Sequence, residues 1–367
     1  MPLLLDEVPV REREGGKVNG ERGLAIRVVN PLADPGWDDL VGGHADSTFF
    51  HGAAWARVLC ETYGFDPAYF VARDERHLRA LLPCMEVDTF PGGRRGVCLP
   101  FTDHAAPLVE CASQAPALFD TLASHGRERG WRTWESRGGY QPPAGAASSV
   151  EYYQHTLDLT PGPAALFCDF DPAVRRALRK AERSALEVRA ENSVEAMAAY
   201  YTLHCRTRRK HGLPPQPRAF FDSIQRNIIA RGRGRLLLAY HEKRAVAGAV
   251  FFQWGRSVLY KFGASDDAHQ ELRANNHVLW HAIESYAFDG FERLDLGRTS
   301  LSQAGLRRYK LGWGARESRL RYFKFDLRKG MFVSERDAAD GWYNGLFRVL
   351  PLALLRFIGT RLYRHLA

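Results

Sequence analysis

The chain has 367 residues, too long for a typical single domain and the right length for two domains of ordinary size. Hydrophobic residues make up 45% and charged residues 25%, as in a folded soluble protein, and no apolar run reaches the length of a membrane span. Lys plus Arg outnumber Asp plus Glu by 51 to 42, a formal net charge of +9. Both an anionic partner (a nucleic acid, a phosphorylated or carboxylated small molecule, a membrane surface) and a merely basic surface fit that excess. The six cysteines, Cys60, Cys84, Cys98, Cys111, Cys168 and Cys205, form no C-x-x-C pair and no Cys/His cluster of zinc spacing. They read as buried reduced thiols, so no metal site is expected and a reducing, cytosolic setting is.

Residues 1–23 carry Arg11-Glu-Arg-Glu14 and Gly15-Gly16 and read as a flexible tail. The apolar run 3–5 is too short for a signal-peptide core. Order is expected from Leu24-Ala-Ile-Arg-Val-Val29 onward.

An internal repeat organises the rest of the chain. Residues 70–83 read as strand, charged turn, strand, and residues 237–250 read the same way, aligning Glu75 with Glu242 and Ala80 with Ala247. Farther on, Arg127-Glu-Arg-Gly-Trp-Arg-Thr-Trp-Glu135 is matched by Ala287-Phe-Asp-Gly-Phe-Glu-Arg-Leu-Asp295, with Gly130-Trp131 against Gly290-Phe291. Matched order and spacing point to two copies of one α/β unit, joined near residues 159–171.

A basic helix opens the second copy, with Asp171 as N-cap and Pro172 in its first turn. It carries Arg175, Arg176, Arg179, Lys180 and Arg183 against one acid, Glu182. A solvated face and a phosphate-facing helix are both open readings. A second helix over 191–211 ends in Arg208-Arg-Lys-His211. That run favours the helix dipole and exceeds what a cap needs, so Arg208 and Arg209 are candidate substrate contacts. Leu213-Pro-Pro-Gln-Pro217 is a rigid linker, and Arg231-Gly-Arg-Gly-Arg235 reads as a turn before a strand.

Val258-Leu-Tyr-Lys-Phe262 alternates like a half-buried strand. Residues 265–273 read as a loop, and 274–288 as a helix with Val278, Leu279, Ala282, Ile283 and Tyr286 on one face. Arg293-Leu-Asp-Leu296 is a second strand, completing a crossover unit. Then Gly305-Leu-Arg-Arg-Tyr-Lys-Leu-Gly-Trp-Gly314 reads as a basic loop that brings in Lys310, a group suited to a developing negative charge. Residues 341–367 contain no acid, and Arg348, Arg356, Arg361 and Arg364 interrupt their apolar runs. Pro351 and Gly359 break them into short helices. These are too charged to span a bilayer and suit either an anionic membrane surface or the body of the protein.

No G-x-x-x-x-G-K-[ST], strand-following G-x-G-x-x-G or G-x-S-x-G occurs. Tyr260-Lys-Phe-Gly-Ala-Ser265, Arg273-Ala-Asn-Asn276, Trp280, Leu294-Asp-Leu-Gly-Arg298 and Gly305-Leu-Arg-Arg-Tyr-Lys310 resemble the Fem-type aminoacyltransferases (FemA, FemB, FemX). Phe49-Phe-His-Gly-Ala-Ala-Trp55 and Leu99-Pro-Phe-Thr-Asp-His104 occupy the matching places in the first copy. The resemblance covers roughly residues 24–326. It implies an α/β fold of two tandem GNAT-like domains, each a twisted mixed sheet flanked by helices. The first would take 24–158 and the second 159–330 with its basic helix, leaving 331–367 as basic apolar helices.

The resemblance also implies a reaction: transfer of an aminoacyl group from aminoacyl-tRNA to an amine of a peptidoglycan precursor, forming an amide. Lys310 matches the lysine that meets the carbonyl oxygen as charge builds on it, worth several kcal/mol. Tyr309 stands where the family often has Phe, placed to pack on the donor's ring or ribose. Asp103 is the candidate base, or a turn-capping Asp. Tyr260, Arg273, Asn275, Asn276, Arg298 and Trp313 are expected to contact substrate. No tightly bound cofactor is expected; the donor is aminoacyl-tRNA or, as the second choice, acyl-CoA or an acyl carrier protein. A third reading is a non-enzymatic, membrane-associated protein of envelope assembly.

The departures narrow the acceptor. Val58-Leu-Cys60 lacks the lysine that family members acting on nucleotide-linked murein precursors carry one turn after the tryptophan. That argues against a uridine-diphosphate-linked acceptor. No coiled-coil insertion is present. The 265–273 loop has no glycine, and Asp266, Asp267 and Glu271 would repel a pyrophosphate, which counts against coenzyme A. A lipid-linked precursor, an exopolysaccharide amino sugar and a small metabolite amine remain as acceptors.

Overall fold

The computed structural model describes residues 25–74, 77–142, 146–335 and 344–366. The expected tail over 1–23 and the Glu75 of the repeat lie outside them. The first half of the chain supplies β1 (Arg27–Val29), α1 (Trp37–Gly42), α2 (Ala53–Tyr63), β2 (Asp66–Pro67), β3 (Tyr69–Asp74), β4 (His77–Leu82), β5 (Met85–Thr89), β6 (Gly93–Val97), β7 (Leu108–Val109), α3 (Ala115–Glu128), β8 (Thr133–Arg137) and β9 (Val150–Asp158). The second supplies α4 (Pro163–Asp169), α5 (Pro172–Glu182), β10 (Glu187–Glu191), α6 (Val194–Lys210), α7 (Arg218–Ile224), β11 (Gly234–His241), β12 (Arg244–Trp254), β13 (Ser257–Ser265), α8 (Ala274–Phe288), β14 (Arg293–Ser300), α9 (Ala304–Leu311), β15 (Arg316–Asp326) and β16 (Met331–Phe332). Then come α10 (Asn344–Val349) and α11 (Leu352–Leu362).

The repeat reappears in the strand registers. In the first hairpin Ala72 faces Ala80, with a bulge before Arg73; in the second, Ala239 faces Ala247, with a bulge before Tyr240. The parallel pairs correspond too: Arg95↔Thr133 to Val97↔Glu135 in the first copy, Ser257↔Arg293 to Leu259↔Asp295 in the second. Each copy enters its parallel strand through a left-handed glycine, Gly130 (φ +72°) or Gly290 (φ +81°). The next residue's N–H reaches back to a helix carbonyl: Trp131 to Gly126 at 2.7 Å, Phe291 to Tyr286 at 3.0 Å. This is the Schellman ending of a helix.

One of the positions at which the copies differ changes the strand pattern. Pro83 stands where the second copy has Val250. Val250 sits in the long strand β12, next to a bulge. Proline cannot donate to a ladder, and the first copy's strand breaks there into β4 and β5. A small sheet, β1-β3-β4-β7, therefore separates from a large one, β10-β11-β12-β13-β14-β9-β15-β8-β6-β5-β2. In the large sheet β9 lies between β14 and β15, and β15 lies between β9 and β8. Each copy thus has a strand from the other half beside its own last parallel strand.

The halves also share a core. Trp55 is fully buried, and its ring lies 5.8 Å from Phe220 and 5.7 Å from Phe252. Gly52 sits against the Trp254 indole, with no room for a side chain. The Phe49–Trp55 motif is therefore the seam between the copies. Gly96 is similarly constrained: a Cβ there would lie 2.0 Å from the Trp131 ring. Gly96→Ala is expected to destabilise the protein by about 1–3 kcal/mol through overpacking, read as a lower denaturant midpoint with an unchanged slope.

Two local expectations are corrected. The segment read as a basic loop around Lys310 is helix α9, because five good helix formers stand between its glycines. The 265–273 loop contains a 3-10 helix, Asp267–Leu272, closed by Arg273 in the left-handed region (φ +58°). Of the cysteines, Cys84, Cys98 and Cys205 are buried as expected, whereas Cys111 and Cys168 are exposed. Asp171 caps α5 as expected, accepting from the Ala173 N–H at 2.6 Å.

Candidate active site

The site lies where β13 and β14 part. Their pairing ends at Leu259↔Asp295; on its other edge β14 pairs with β9 from Arg293 to Ser300, with a bulge between Asp295 and Arg298. Gly297 forms that bulge at φ +70°. Its N–H donates to the Asp295 carboxylate at 2.7 Å, and the other carboxylate oxygen accepts from Gln154 Nε2 at 2.9 Å. The bulge aims two successive carbonyls at α9. Lys310 Nζ donates to Gly297 O at 2.8 Å and to Arg298 O at 3.0 Å. An ammonium has three donors, so one remains for a ligand.

Lys310 is 4% exposed. Burial lowers its pKa to about 8, the Asp103 and Asp295 charges oppose that, and Arg298 adds to it. Burial raises the Asp295 carboxyl, against its two hydrogen bonds. Gly297→Ala has space, since the nearest atoms to a new Cβ are 3.7 Å away. It forces a non-glycine residue into the left-handed region at roughly 1–2 kcal/mol. Relaxation of the bulge would turn the carbonyls off Lys310, so the expected outcome is a several-fold loss in kcat with little change in KM.

Asp103 reaches this site from the first half. The chain leaves the sheet after β6 through Leu99 and Phe101, both at φ 59°, and lays Asp103 against β13 and β14. Lys261 Nζ donates to Asp103 Oδ2 at 2.8 Å, and Arg298 Nε lies 3.8 Å from Oδ1. Burial alone would raise the Asp103 carboxyl; Lys261 and Arg298 outweigh it and hold the group below its ordinary value. Burial lowers Lys261, against the Asp103 charge. Its ammonium also lies 5.1 Å from the Phe50 ring centre and 5.7 Å from that of Trp55. Arg298 stacks on Tyr152 at 4.3 Å and donates to the Tyr322 hydroxyl at 2.9 Å. Tyr322 donates in turn to the Asp103 carbonyl. Beside α9, buried His155 pairs with Glu317 at 3.0 Å, and Arg307 grips Glu317 through two bonds of 2.7 and 2.8 Å.

A buried cation of lowered pKa, held by backbone carbonyls at a strand parting, suits stabilisation of an oxyanion. Residues 172–317 match the family model described as an acetyltransferase (GNAT) domain. The second half of this chain therefore has the fold of a GNAT acyltransferase domain. FemX superposes with a TM-score of 0.65 over 80% of this chain and 96% of that one, at 11% identity. A tandem GNAT protein from the clavulanic acid biosynthesis pathway gives 0.51 over 82% and 98%, at 12%. The C-terminal domain of a putative lysylphosphatidylglycerol synthetase from Agrobacterium fabrum gives 0.50 over 78% and 89%, at 16%. No curated protein matches this sequence. At these identities the likeness is one of fold, and it is the tandem GNAT-like fold that the Fem-type resemblance implied.

Within this GNAT frame the structure brings Lys310, Asp103 and Arg298 together. Tyr260 is close by, its ring 5.2 Å from Phe251 and its phenol pushed up to about 12 by burial. Tyr309 is half-buried, 6.1 Å from Trp313 ring to ring. Trp313 itself is fully buried, packing edge-on against Phe170 at 5.0 Å. That makes it a core residue, correcting the expectation of a substrate contact: the turn around Gly314 (φ +74°) folds the indole inward.

Arg273, Asn275 and Asn276 lie at the far end of β13, where Asn275 Nδ2 donates to Ser265 Oγ at 2.9 Å. Four residues of strand, about 13 Å, separate Ser265 from Lys261. Arg208 donates to the Tyr363 hydroxyl at 2.7 Å and to Pro214 O at 3.2 Å, and Arg209 is exposed at the end of α6. Neither joins Lys310.

Sequence reasoning missed Lys261, Asp295, Gln154, Tyr152 and Tyr322. Lys261 and Asp295 stood inside quoted motifs. Alternation marked Lys261 as a solvent-facing strand position, and it is buried by parts of the other half: the Asp103 loop and the Phe50 and Trp55 rings.

Proposed function

We propose that the protein is an N-acyltransferase that moves an aminoacyl group from aminoacyl-tRNA to an amine of a cell-envelope precursor, a polysaccharide or a metabolite. The observation that carries this reading is Lys310, with one free ammonium donor at the strand parting. The acceptor nitrogen attacks the ester carbonyl, and the charge forming on its oxygen is met by Lys310. That attack forms the C–N bond; collapse re-forms the carbonyl, breaks the ester C–O bond, and the proton lost by nitrogen goes to the leaving ribose oxygen. Asp103, bound to Lys261 and held at low proton affinity, anchors two cations and is a poor base. Tyr309 and Tyr260 line the donor side. Among the described residues no helix is long and apolar enough to cross a membrane; we read the enzyme as peripheral, at the inner membrane face.

The second reading, an acyl-CoA donor, is disfavoured by the loop after β13. Asp266 binds Arg206 and Arg244, and Asp267 binds Lys210 at 2.6 Å. Thr207 Oγ1 accepts from Ser265 N at 3.0 Å and donates to its carbonyl at 3.2 Å. The place of a pyrophosphate cradle is occupied by acids and their own cations.

The test is to purify the protein at low salt and sequence any bound RNA. Enrichment of tRNA that fades as salt rises supports the reading. No enrichment, together with amine-dependent turnover of an acyl-CoA, overturns it in favour of the second. Mass spectrometry of the acylated amine identifies the acceptor.

A further inference from the structure

The C-terminal helices are bound to the body on one side and open on the other. Leu355 and Tyr363 are buried, and Gly359 lies so close to the Pro215 carbonyl that no Cβ fits. Tyr363 accepts from Arg208 and donates to Pro214 O, and Arg95 donates to His365 O at 3.1 Å. The segment is therefore fixed across both halves of the chain. Its outer side nevertheless shows Leu346 (55% exposed), Val349 (78%), Leu354 and Phe357 (60%). Arg348, Arg361 and Arg364 stand among them, exposed and in no ion pair among the described residues. Residues 344–366 contain no acid. Exposed Arg209 is close by, since the Asn344 backbone packs on Gly212 at the end of α6.

Apolar side chains framed by arginines that make no ion pair among the described residues (Arg361 lies over the Phe357 ring at 5.5 Å), with no acid between them, match an anionic lipid surface in both hydrophobicity and charge. A solvated helix needs no such apolar face, and a protein partner of ordinary composition would not call for one-signed charge. We propose that α10 and α11 form a docking face for anionic membranes, with Leu346, Val349, Leu354 and Phe357 entering the interface and Arg348, Arg361 and Arg364 meeting lipid phosphates. The rigid attachment turns this face into an orientation device: wherever it docks, the position of Lys310 relative to the bilayer is set. The inference gives the peripheral location its surface and is independent of donor and acceptor chemistry.

The test is co-sedimentation of the full chain with phosphatidylcholine vesicles, with and without phosphatidylglycerol. Binding to the anionic vesicles alone, weakened by salt, is expected. Each of Arg348→Gln, Arg361→Gln and Arg364→Gln should lower the partition coefficient about fivefold. Replacing Leu346, Val349 and Phe357 together by serine should remove binding with thermal unfolding unchanged, since all three are exposed. Equal binding to neutral and anionic vesicles, no binding to either, or wild-type binding by the serine variant overturns the proposal. So does a wild-type dimer in light scattering that the serine variant converts to monomer, which would make the face a contact between copies.

Discussion

Lys310→Ala is expected to lower acyl transfer by about 10²–10³-fold, the effect of removing one preorganised oxyanion donor, while the protein stays folded. The side chain sits at the edge of the core, its partners are two carbonyls, and its loss removes a buried cation along with their donor. Lys310→Arg should not restore turnover, because a planar fork cannot occupy the place of a compact ammonium between those carbonyls. The pH dependence follows from the lowered pKa. Oxyanion stabilisation needs the protonated form, so the lysine-dependent rate should fall as pH rises through about 8. Stability moves the other way. Between about 8 and the ordinary value of 10.5 the unfolded chain binds the proton and the folded one does not, so stability should rise with pH across that window. The full difference is roughly 3 kcal/mol. A wild-type stability curve with the same slope as that of Lys310→Ala over this range would refute the buried-cation assignment.

Asp103→Ala is expected to cost about 3–5 kcal/mol of stability, the penalty of leaving a buried partner charge uncompensated. Lys261, with its side chain 5% exposed, would keep its charge among aromatic rings with no carboxylate beside it. The diagnostic variant is Asp103→Ala with Lys261→Met. Removing both charges should recover most of the loss, because an apolar side chain fits the Phe50 and Trp55 surroundings that now hold the ammonium. Denaturant melts of the two single variants and the double one check this; simple additivity of the single losses would dissolve the pair. The acid limb has its own sign. Asp103 is held below its ordinary value of 3.8, so its contribution is full above that pH and lost as pH falls further. Activity should fall with Asp103→Ala as well, since Arg298 shares the carboxylate and lends its carbonyl to Lys310.

What could be read from the sequence was local, or repeated. Ala80 and Ala247 were matched by pattern alone, and the structure gives them the same cross-strand partner and the same following bulge. Gly130 and Gly290 were equally plain, because each ends a helix that only a left-handed residue can end so. The GNAT-like frame followed from such signals. The site was half visible. Lys310 stood out by its flanks, but the same glycines hid the helix it sits on. Arg208 to His211 looked like an anion site because four basic residues in a row exceed a cap; in the structure Arg208 holds the C-terminal segment through Tyr363, and Lys210 pairs with Asp267. Asp103 beside Lys261 depends on a contact between residues far apart in the chain. No periodicity carries that information, and neither does composition.

The placement of β9 and β15 has a consequence for how the chain is made. β8 has β6 on one side and finds its other neighbour only in β15, which ends at Asp326. A ribosome that has finished the first half therefore holds a protein with an open strand edge, and it must add nearly the whole second half before that edge can close. Until then β9 lacks both β14 and β15. Such long-range pairing is slow to form, and an unpaired edge invites association with other chains. The duplicated unit gives this molecule two similar halves, and each completes its sheet only with a strand of the other.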